Sequence, residues 1–213
     1  MIKILVVDDH DLVRTGIVRI LKDVKDFNVI AAVGSGEEAV EYCRKHSPDI
    51  ILMDVSMPGI GGLEATRKVK RICDSAKVIC LSMHKENPIP YKIMQAGAHG
   101  FLTKDAGQSE MINAVYKVHS GQKYISPEIA QQIAIGQLDI NNDNPFEQLS
   151  ERELEITMML TRGIKVTDIA GKLSISAKTV NTYRYRMFEK LHINSDVELT
   201  HLALRHKLIT SDA

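Results

Sequence analysis

Five short apolar runs alternate with segments of helical periodicity over the first 121 residues of the chain. The runs cover residues 4–7, 29–33, 50–53, 78–81 and 100–102. Short buried strands that alternate with helices form βαβ units, whose right-handed crossovers place helices on both faces of a parallel sheet. We therefore predict a flavodoxin-like α/β domain with a five-stranded parallel sheet in the order 2-1-3-4-5.

The pattern changes after this region and indicates a second domain. Residues 126–137 predict an extra helix, with Ser126 as its cap and Pro127 at its first position, and residues 138–145 are polar and rich in turn formers. Beyond them the periodicity is wholly helical, and a capping box at Ser150 opens the first helix. The predicted parts are an α/β domain over residues 1–121, a helix and linker over 122–148, and an all-α domain over 149–213.

The composition predicts a folded protein without membrane spans. The sequence is 44% hydrophobic, which is enough for a core, but its apolar runs are far shorter than the roughly 20 residues that span a bilayer. It has neither a signal-peptide pattern nor a CxxC pair among Cys43, Cys73 and Cys80. We therefore expect a cytoplasmic protein with buried, reduced thiols, and neither a zinc site nor a disulfide framework.

The balance of charge along the chain is uneven. The whole sequence has no net charge, yet residues 172–190 contain five basic residues against Glu189 alone, a local charge of +4. Such a stripe can bind phosphates although the protein is neutral. Charge alone does not separate this hypothesis from that of a solvated helix face.

Polar residues follow the predicted strands at the point where each strand ends. Asp8 and Asp9 come directly after the first run, Asp54 after the third, Ser82 after the fourth, and Lys104 just beyond the fifth. The carboxyl ends of parallel strands meet at one edge, where open α/β sheets bind ligands. Singly, these residues are explained as helix caps, a turn residue or a solvated charge. Together they predict an oxygen-rich site of the kind that suits Mg²⁺.

The same residues resemble the signature of receiver domains in two-component signalling. The resemblance rests on the aspartate pair, the segment Asp-Val-Ser-Met-Pro-Gly at 54–59, Ser82 and Lys104, and it spans the whole first domain. It implies that Asp54 accepts a phosphoryl group from the phosphohistidine of a sensor kinase. It also implies Mg²⁺ as cofactor, held by the carboxylates of Asp9 and Asp54, by the backbone carbonyl of Ser56, and by Asp8 mainly through water.

The resemblance further implies a switch. The Ser82 hydroxyl and the Lys104 ammonium are expected to hold phosphoryl oxygens, while an aromatic residue three positions before the lysine turns inward. That residue is Phe101, which lacks the hydroxyl of the commoner tyrosine, so any coupling acts by packing alone. The alternative is that Phe101 is an ordinary core residue. Asp105 departs from the proline that many receivers have after the lysine.

The C-terminal part resembles the LuxR-type helix-turn-helix module, which together with a receiver defines the NarL/FixJ class. The resemblance rests on residues 149–155, 169–176 and 177–191. A helix beginning after Ser176 is expected to turn Val180, Tyr183, Met187 and Leu191 to the core. The opposite face is expected to enter the major groove of promoter DNA. The expected DNA-binding residues are Lys178, Thr179, Asn181, Thr182, Arg184, Tyr185, Arg186 and Lys190.

These residues divide into two roles. Asn181, Thr182 and Tyr185 are expected to read bases, whereas Arg184, Arg186 and Lys190 are expected to contact phosphates. Segments 57–68, 94–98 and 196–203 resemble the GacA/UvrY branch of the class. That branch implies a hybrid sensor kinase as partner and the activation of small regulatory RNA genes. A homodimer of the phosphorylated protein and contact with RNA polymerase are further expectations, and no membrane partner is expected.

Two functions of other classes compete with that of a transcriptional regulator. One is a phosphatase or phosphotransfer enzyme with Asp54 as nucleophile, for which only His84 suggests itself as a base. The other is a protein-docking output without DNA binding. We predict a regulator that is not an enzyme, beyond a slow self-dephosphorylation.

Overall fold

The computed structural model describes residues 1–83, 89–127, 129–131, 144–173, 175–206 and 208–209. They form two compact units, of which one holds the described residues up to 131 and the other those from 144 onward. The predicted domain boundaries after residues 121 and 148 stay predictions.

The N-terminal unit alternates strands and helices. Its elements are β1 Ile2–Val7, α1 Asp11–Lys22, β2 Phe27–Val33, α2 Gly36–Lys45, β3 Ile50–Asp54, α3 Gly61–Ile72, β4 Lys77–Ser82, α4 Ile89–Gln95, β5 Gly100–Thr103, α5 Gln108–His119 and β6 Tyr124–Ile125. All pairings are parallel, in the order β2-β1-β3-β4-β5-β6. The predicted flavodoxin-like fold is confirmed, with one strand more than expected.

The central strands explain why the apolar runs are continuous. Every residue of β3 is buried, because helices cover both faces of a parallel sheet. One face of the core joins side chains of β1, β3, β4, α1 and α5, among them Ile4, Leu52, Leu81, Leu21 and Val115. The side chains of Cys43, Cys73 and Cys80 are buried and form no disulfide, as predicted.

Gly62 allows α3 to begin directly against the end of β3. Its N–H donates to the Val55 carbonyl oxygen at 3.0 Å. A Cβ at Gly62 would lie only 2.0 Å from the carbonyl oxygen of Asp54 and 2.7 Å from the Val55 Cα. Since both neighbours are backbone atoms, only glycine fits here without displacing the strand end.

We expect Gly62→Ala to lower the free energy of unfolding by about 1–3 kcal/mol, because the added methyl group overpacks the junction of β3 and α3. Urea denaturation monitored by circular dichroism measures this change. The matched control is Gly16→Ala within α1, where a Cβ would meet nothing within 4 Å. Alanine there is expected to stabilise the helix by up to about 1 kcal/mol. Equal stabilities for the two variants would contradict the close approach.

The described residues of the C-terminal unit form helices joined by short connections, without a strand. It contains a 3₁₀ helix over Pro145–Gln148, then α6 Glu151–Thr161, α7 Val166–Lys172, α8 Ala177–Leu191 and α9 Asp196–Arg205. Ser150 and Glu153 form the predicted capping box. Ser176 and Ser195 cap α8 and α9 by accepting from the backbone N–H of Thr179 and Glu198.

The predicted connection between the domains, residues 122–148, is described except for residues 128 and 132–143. Of the helix expected over 126–137, the Ala130 N–H donates to the Ser126 carbonyl oxygen at 2.9 Å, as at a helix start. Residues 128 and 132–137 of that helix and 138–143 of the predicted linker lie outside the described residues, as does His84. Within the part that the structure describes, no helix has both the length and the apolar character needed to cross a membrane.

Candidate functional sites

The polar residues at the strand ends meet at one edge of the sheet. Asp8 follows β1, Asp54 ends β3 and Ser82 ends β4, and all three are fully buried. Lys104 follows β5, where its backbone N–H donates to the Ser82 carbonyl oxygen at 2.9 Å. Its Nζ lies 2.9 Å from Asp8 Oδ2 and 2.8 Å from Asp54 Oδ2. One ammonium thus bridges two buried carboxylates.

Backbone groups hold the other oxygen of each carboxylate. The His10 N–H donates to Asp8 Oδ1 at 2.8 Å, and the Ser56 N–H donates to Asp54 Oδ1 at 3.1 Å. Apart from the ion pairs with Lys104, Asp8 Oδ2 and Asp54 Oδ2 make no hydrogen bond with a described residue. Each carboxylate is therefore fixed at one oxygen and offers the other to the site.

Burial and charge have opposite effects on the pKa of Asp54. The pKa of this carboxyl is raised from 3.8 to about 6, chiefly because the group is buried. The nearby ammonium of Lys104 lowers the pKa, whereas the charge of Asp8 raises it further. Burial alone lowers the pKa of Lys104, but the carboxylates of Asp54 and Asp8 more than offset this and raise it. Near neutral pH Asp54 is mainly ionised and Lys104 is cationic.

Four side chains offer ligand atoms for a metal ion. Asp8, Asp9, His10 and Asp54 each place one such atom within 4.8 Å of all the others. Asp9 Oδ1 is also buried without a hydrogen bond to a described residue, although His10 Nδ1 lies 3.0 Å away. Carboxylate oxygens that lack donors fit a hard divalent cation such as Mg²⁺. His10 was not among the predicted site residues, and its only signal in the sequence is its position after the aspartate pair.

Phe101 is fully buried in β5, where it pairs with Cys80 of β4. The ring therefore lies inside the unit, two residues before the strand reaches Thr103 at its end. This placement agrees with an inward switch residue and equally with an ordinary core residue.

The helix predicted to enter DNA is α8. Val180, Met187 and Leu191 are buried as expected, and Tyr183 is half-buried. Phe188 is buried as well, which the sequence analysis missed. On the other side Lys178, Thr182, Tyr185 and Arg186 are exposed, and Thr179 and Asn181 are half-buried. The structure thus leaves one polar face of α8 open.

The two remaining expected DNA contacts have partners inside the unit. Arg184 forms a two-pronged ion pair with Asp196, with Nε 2.8 Å from Oδ1 and a terminal nitrogen 2.5 Å from Oδ2. Lys190 Nζ lies 2.6 Å from Glu153 Oε2 of the capping box. Both basic side chains are therefore paired within the unit, Arg184 at 25% exposure and Lys190 at 40%.

Comparison with protein families matches both parts of the chain. Residues 4–116 match the response regulator receiver domain, and residues 147–203 match the luxR family of bacterial regulatory proteins. The chain is similar to the response regulator UvrY of Escherichia coli strain K12, at 54% identity over all of this chain and 98% of that protein. It is also 54% identical to the response regulator GacA of Pseudomonas syringae pv. syringae strain B728a, over the full length of both.

Solved structures support the same assignment of fold. A two-component response regulator of the LuxR family from Aurantimonas sp. SI85-9A1 is 34% identical, with a TM-score of 0.61 over 64% of this chain and 98% of that one. RcsB of Salmonella enterica serovar Typhimurium, bound to the promoter rprA, has a TM-score of 0.64 over 94% of this chain and 97% of its own. At 22% identity RcsB supports the fold alone.

The predicted resemblance to receiver domains, to LuxR-type modules and to the GacA/UvrY branch is thereby confirmed. A match to both family models, together with full-length relatives at this identity, shows the family directly. The chain belongs to the response regulators of two-component systems, as a transcriptional regulator in which a receiver domain precedes a DNA-binding domain of the luxR family.

Proposed function

We propose that Asp54 is the phosphoacceptor and that its modification by a sensor histidine kinase controls DNA binding by α8. The observation that carries the proposal is the Asp54 carboxylate, fully buried at the strand edge with one oxygen 2.8 Å from Lys104 Nζ. A carboxylate held in this way is a fixed nucleophile beside a fixed cation.

The chemistry follows from what these side chains offer. An Asp54 oxygen attacks phosphorus in line, the phosphorus–nitrogen bond of the phosphohistidine breaks, and an acyl phosphate forms. Lys104 leaves its ion pair with Asp54 to hold one phosphoryl oxygen, and the Ser82 hydroxyl donates to another. Because the transition state is loose, positioning and neutralisation of charge do most of the work. Mg²⁺ supplies the second positive charge when bound.

Asp9, Asp54 and the backbone carbonyl of Ser56 are the proposed ligands of Mg²⁺, with Asp8 acting mainly through water. We expect Asp9→Ala to abolish measurable Mg²⁺ binding in calorimetry, because the ion loses one of its two direct carboxylates. Asp11→Ala is the matched control, since the Asp11 carboxylate is exposed, pairs with Arg14 and is outside the ligand cluster. Equal Mg²⁺ affinity in the two variants would show that Asp9 is not a ligand.

The proposed output is promoter binding through the open face of α8. Lys178, Thr179, Asn181, Thr182, Tyr185 and Arg186 are the proposed contacts. The resemblance to the GacA/UvrY branch supports a hybrid sensor kinase as phosphodonor and small regulatory RNA genes as targets. A homodimer of the phosphorylated protein and contact with RNA polymerase are further parts of the proposal. Such a regulator works in the cytoplasm, where its DNA is. Its family is one of transcriptional regulators, and its only proposed catalysis is slow self-dephosphorylation.

Binding of the purified chain to sheared genomic DNA tests this function. We expect treatment with acetyl phosphate and Mg²⁺ to enrich a small set of promoter fragments, and the untreated chain to retain far less of them. Gel shifts with random DNA at two salt concentrations separate this outcome from a protein-docking module, since phosphate contacts weaken as salt rises. A chain that binds no DNA at either salt concentration, phosphorylated or not, would contradict the proposal.

A further inference from the structure

We propose that the ion pair between Arg184 and Asp196 is a clamp that sets the angle of α8 against α9, so that Arg184 serves sequence recognition by positioning the helix instead of by touching a phosphate. The inference rests on the proposed role of α8 in DNA binding. It gives Arg184 a role different from the phosphate contact that its position in the basic stripe predicts.

The geometry of the pair is that of a rigid contact between two helices. Arg184 lies in the middle of α8 and Asp196 is the first residue of α9. Two guanidinium nitrogens donate to the two carboxylate oxygens, at 2.8 and 2.5 Å. A fork of two parallel hydrogen bonds fixes the orientation as well as the distance of its partners, which a lysine cannot do.

A second contact holds the same guanidinium from another side. Its central carbon lies 5.1 Å from the ring centroid of Phe188, one helical turn further along α8. Phe188 is itself buried, at 8% exposure, so the ring is a fixed surface. The arginine is therefore confined by the carboxylate and by the ring, and to reach a phosphate it would give up both contacts.

The far end of α8 is tied in a similar way. Lys190 Nζ lies 2.6 Å from Glu153 Oε2, and the same oxygen accepts from the Ser150 N–H at 2.7 Å within the capping box of α6. The Gln148 side chain donates to the Lys190 carbonyl oxygen at 2.6 Å. The middle of α8 is thus bound to α9 and its end to α6. Its open polar face is left to the DNA.

The two roles of Arg184 predict opposite effects when Asp196 loses its charge. If Asp196 merely competes with DNA for the arginine, Asp196→Asn frees a cation and tightens binding to every DNA. If the pair is a clamp, Asp196→Asn loosens α8 and weakens binding only where the side chains must match base edges.

The test uses the full chain, treated with acetyl phosphate and Mg²⁺, in salt titrations on two DNAs. One is a site selected by the unmodified chain from a random pool, and the other is a random sequence. We expect Asp196→Asn to lower the ratio of selected to random affinity about three- to tenfold, the range of a partly exposed but bidentate ion pair, with the salt slope unchanged. Arg184→Lys keeps the charge and loses the fork, and we expect the same loss.

Glu189→Gln is the matched control, because it removes one negative charge from an exposed position on α8 itself. It is expected to tighten binding to both DNAs alike and to leave the ratio of selected to random affinity unchanged. Circular dichroism and thermal melting give the folded fraction of each variant, and Arg184→Lys carries the test if Asp196→Asn does not fold.

Three results would overturn the clamp. An unchanged ratio in both variants would leave the pair a purely structural contact. Tighter binding by Asp196→Asn to both DNAs, joined to a salt slope reduced by about one in Arg184→Ala, would make Arg184 a phosphate contact. The third result is that Asn181→Ala and Arg186→Ala bind both DNAs with the affinity of the wild-type chain. In that case α8 is not the DNA-binding helix, and the proposed function fails together with the clamp.

Discussion

Replacing Asp54 with asparagine is expected to abolish transfer of a phosphoryl group from acetyl phosphate to the chain. The amide oxygen is a far weaker nucleophile than a carboxylate, and no other described carboxylate lies as close to Lys104 except Asp8. Intact-mass spectrometry after incubation with acetyl phosphate and Mg²⁺ measures the phosphorylated fraction. Treatment with hydroxylamine should remove the phosphoryl group from the wild-type chain.

Asp11→Asn is the matched control for this experiment, because it makes the same chemical change at an exposed aspartate of α1. We expect it to be phosphorylated as the unmodified chain is. Hydroxylamine-sensitive modification that persists in Asp54→Asn would move the phosphoacceptor to another residue, with Asp8 the first to examine.

Asp54→Asn is also expected to be more stable than the wild-type chain in metal-free buffer near neutral pH. The folded pKa of Asp54 is about 6, above the reference value of 3.8, so the folded state binds more protons between these values. The free energy of unfolding of the unmodified chain therefore falls as pH rises from about 4 to about 6, by on the order of 1–3 kcal/mol.

Asparagine does not titrate, so Asp54→Asn lacks this fall. The difference in stability between the two proteins should be largest above pH 6 and small near pH 4. Urea denaturation in EDTA at several pH values measures it. A difference that is independent of pH would mean that burial does not control the ionisation of Asp54.

Asn181→Ala and Arg186→Ala are expected to weaken DNA binding in different ways. Asn181 lies on the open face of α8, where its amide can pair with the edge of a base, so its loss should cost about 1–3 kcal/mol on a selected site and little on random DNA. Arg186 is exposed and has no ion pair among the described residues. Its loss should weaken binding to both DNAs alike and lower the slope of log affinity against log salt by about one.

Paired salt titrations on selected and random DNA separate these effects. Tyr185, which is 66% exposed, is the least defined of the three base-reading candidates, because its ring can also pack along a sugar. Tyr185→Phe keeps the ring and removes the hydroxyl, and is the conservative comparison. The division of roles does not hold if Asn181→Ala and Arg186→Ala lose affinity equally on both DNAs with the same change of slope.

Local pattern was sufficient to predict the fold and the strand-edge cluster. Apolar runs of three to five residues between helices specify parallel strands, and residues that follow such strands must meet at one edge. This is why Asp8, Asp54, Ser82 and Lys104 could be grouped before any distance was known. The capping box was equally local, since Ser150 and Glu153 contact each other within one helical turn.

Tertiary packing decided the features that no local pattern encodes. A strand of two residues, Tyr124–Ile125, has no periodicity and exists because β5 offers it a free edge. The partners of Arg184 and Lys190 lie 12 and 37 residues away in the chain, so they depend on how α8 packs against α9 and α6. Sequence alone placed both side chains in one basic stripe with Arg186. The packing of α8 against α9 and α6 pairs each of these two cations with a carboxylate, because only that packing brings the distant carboxylates within 3 Å of them.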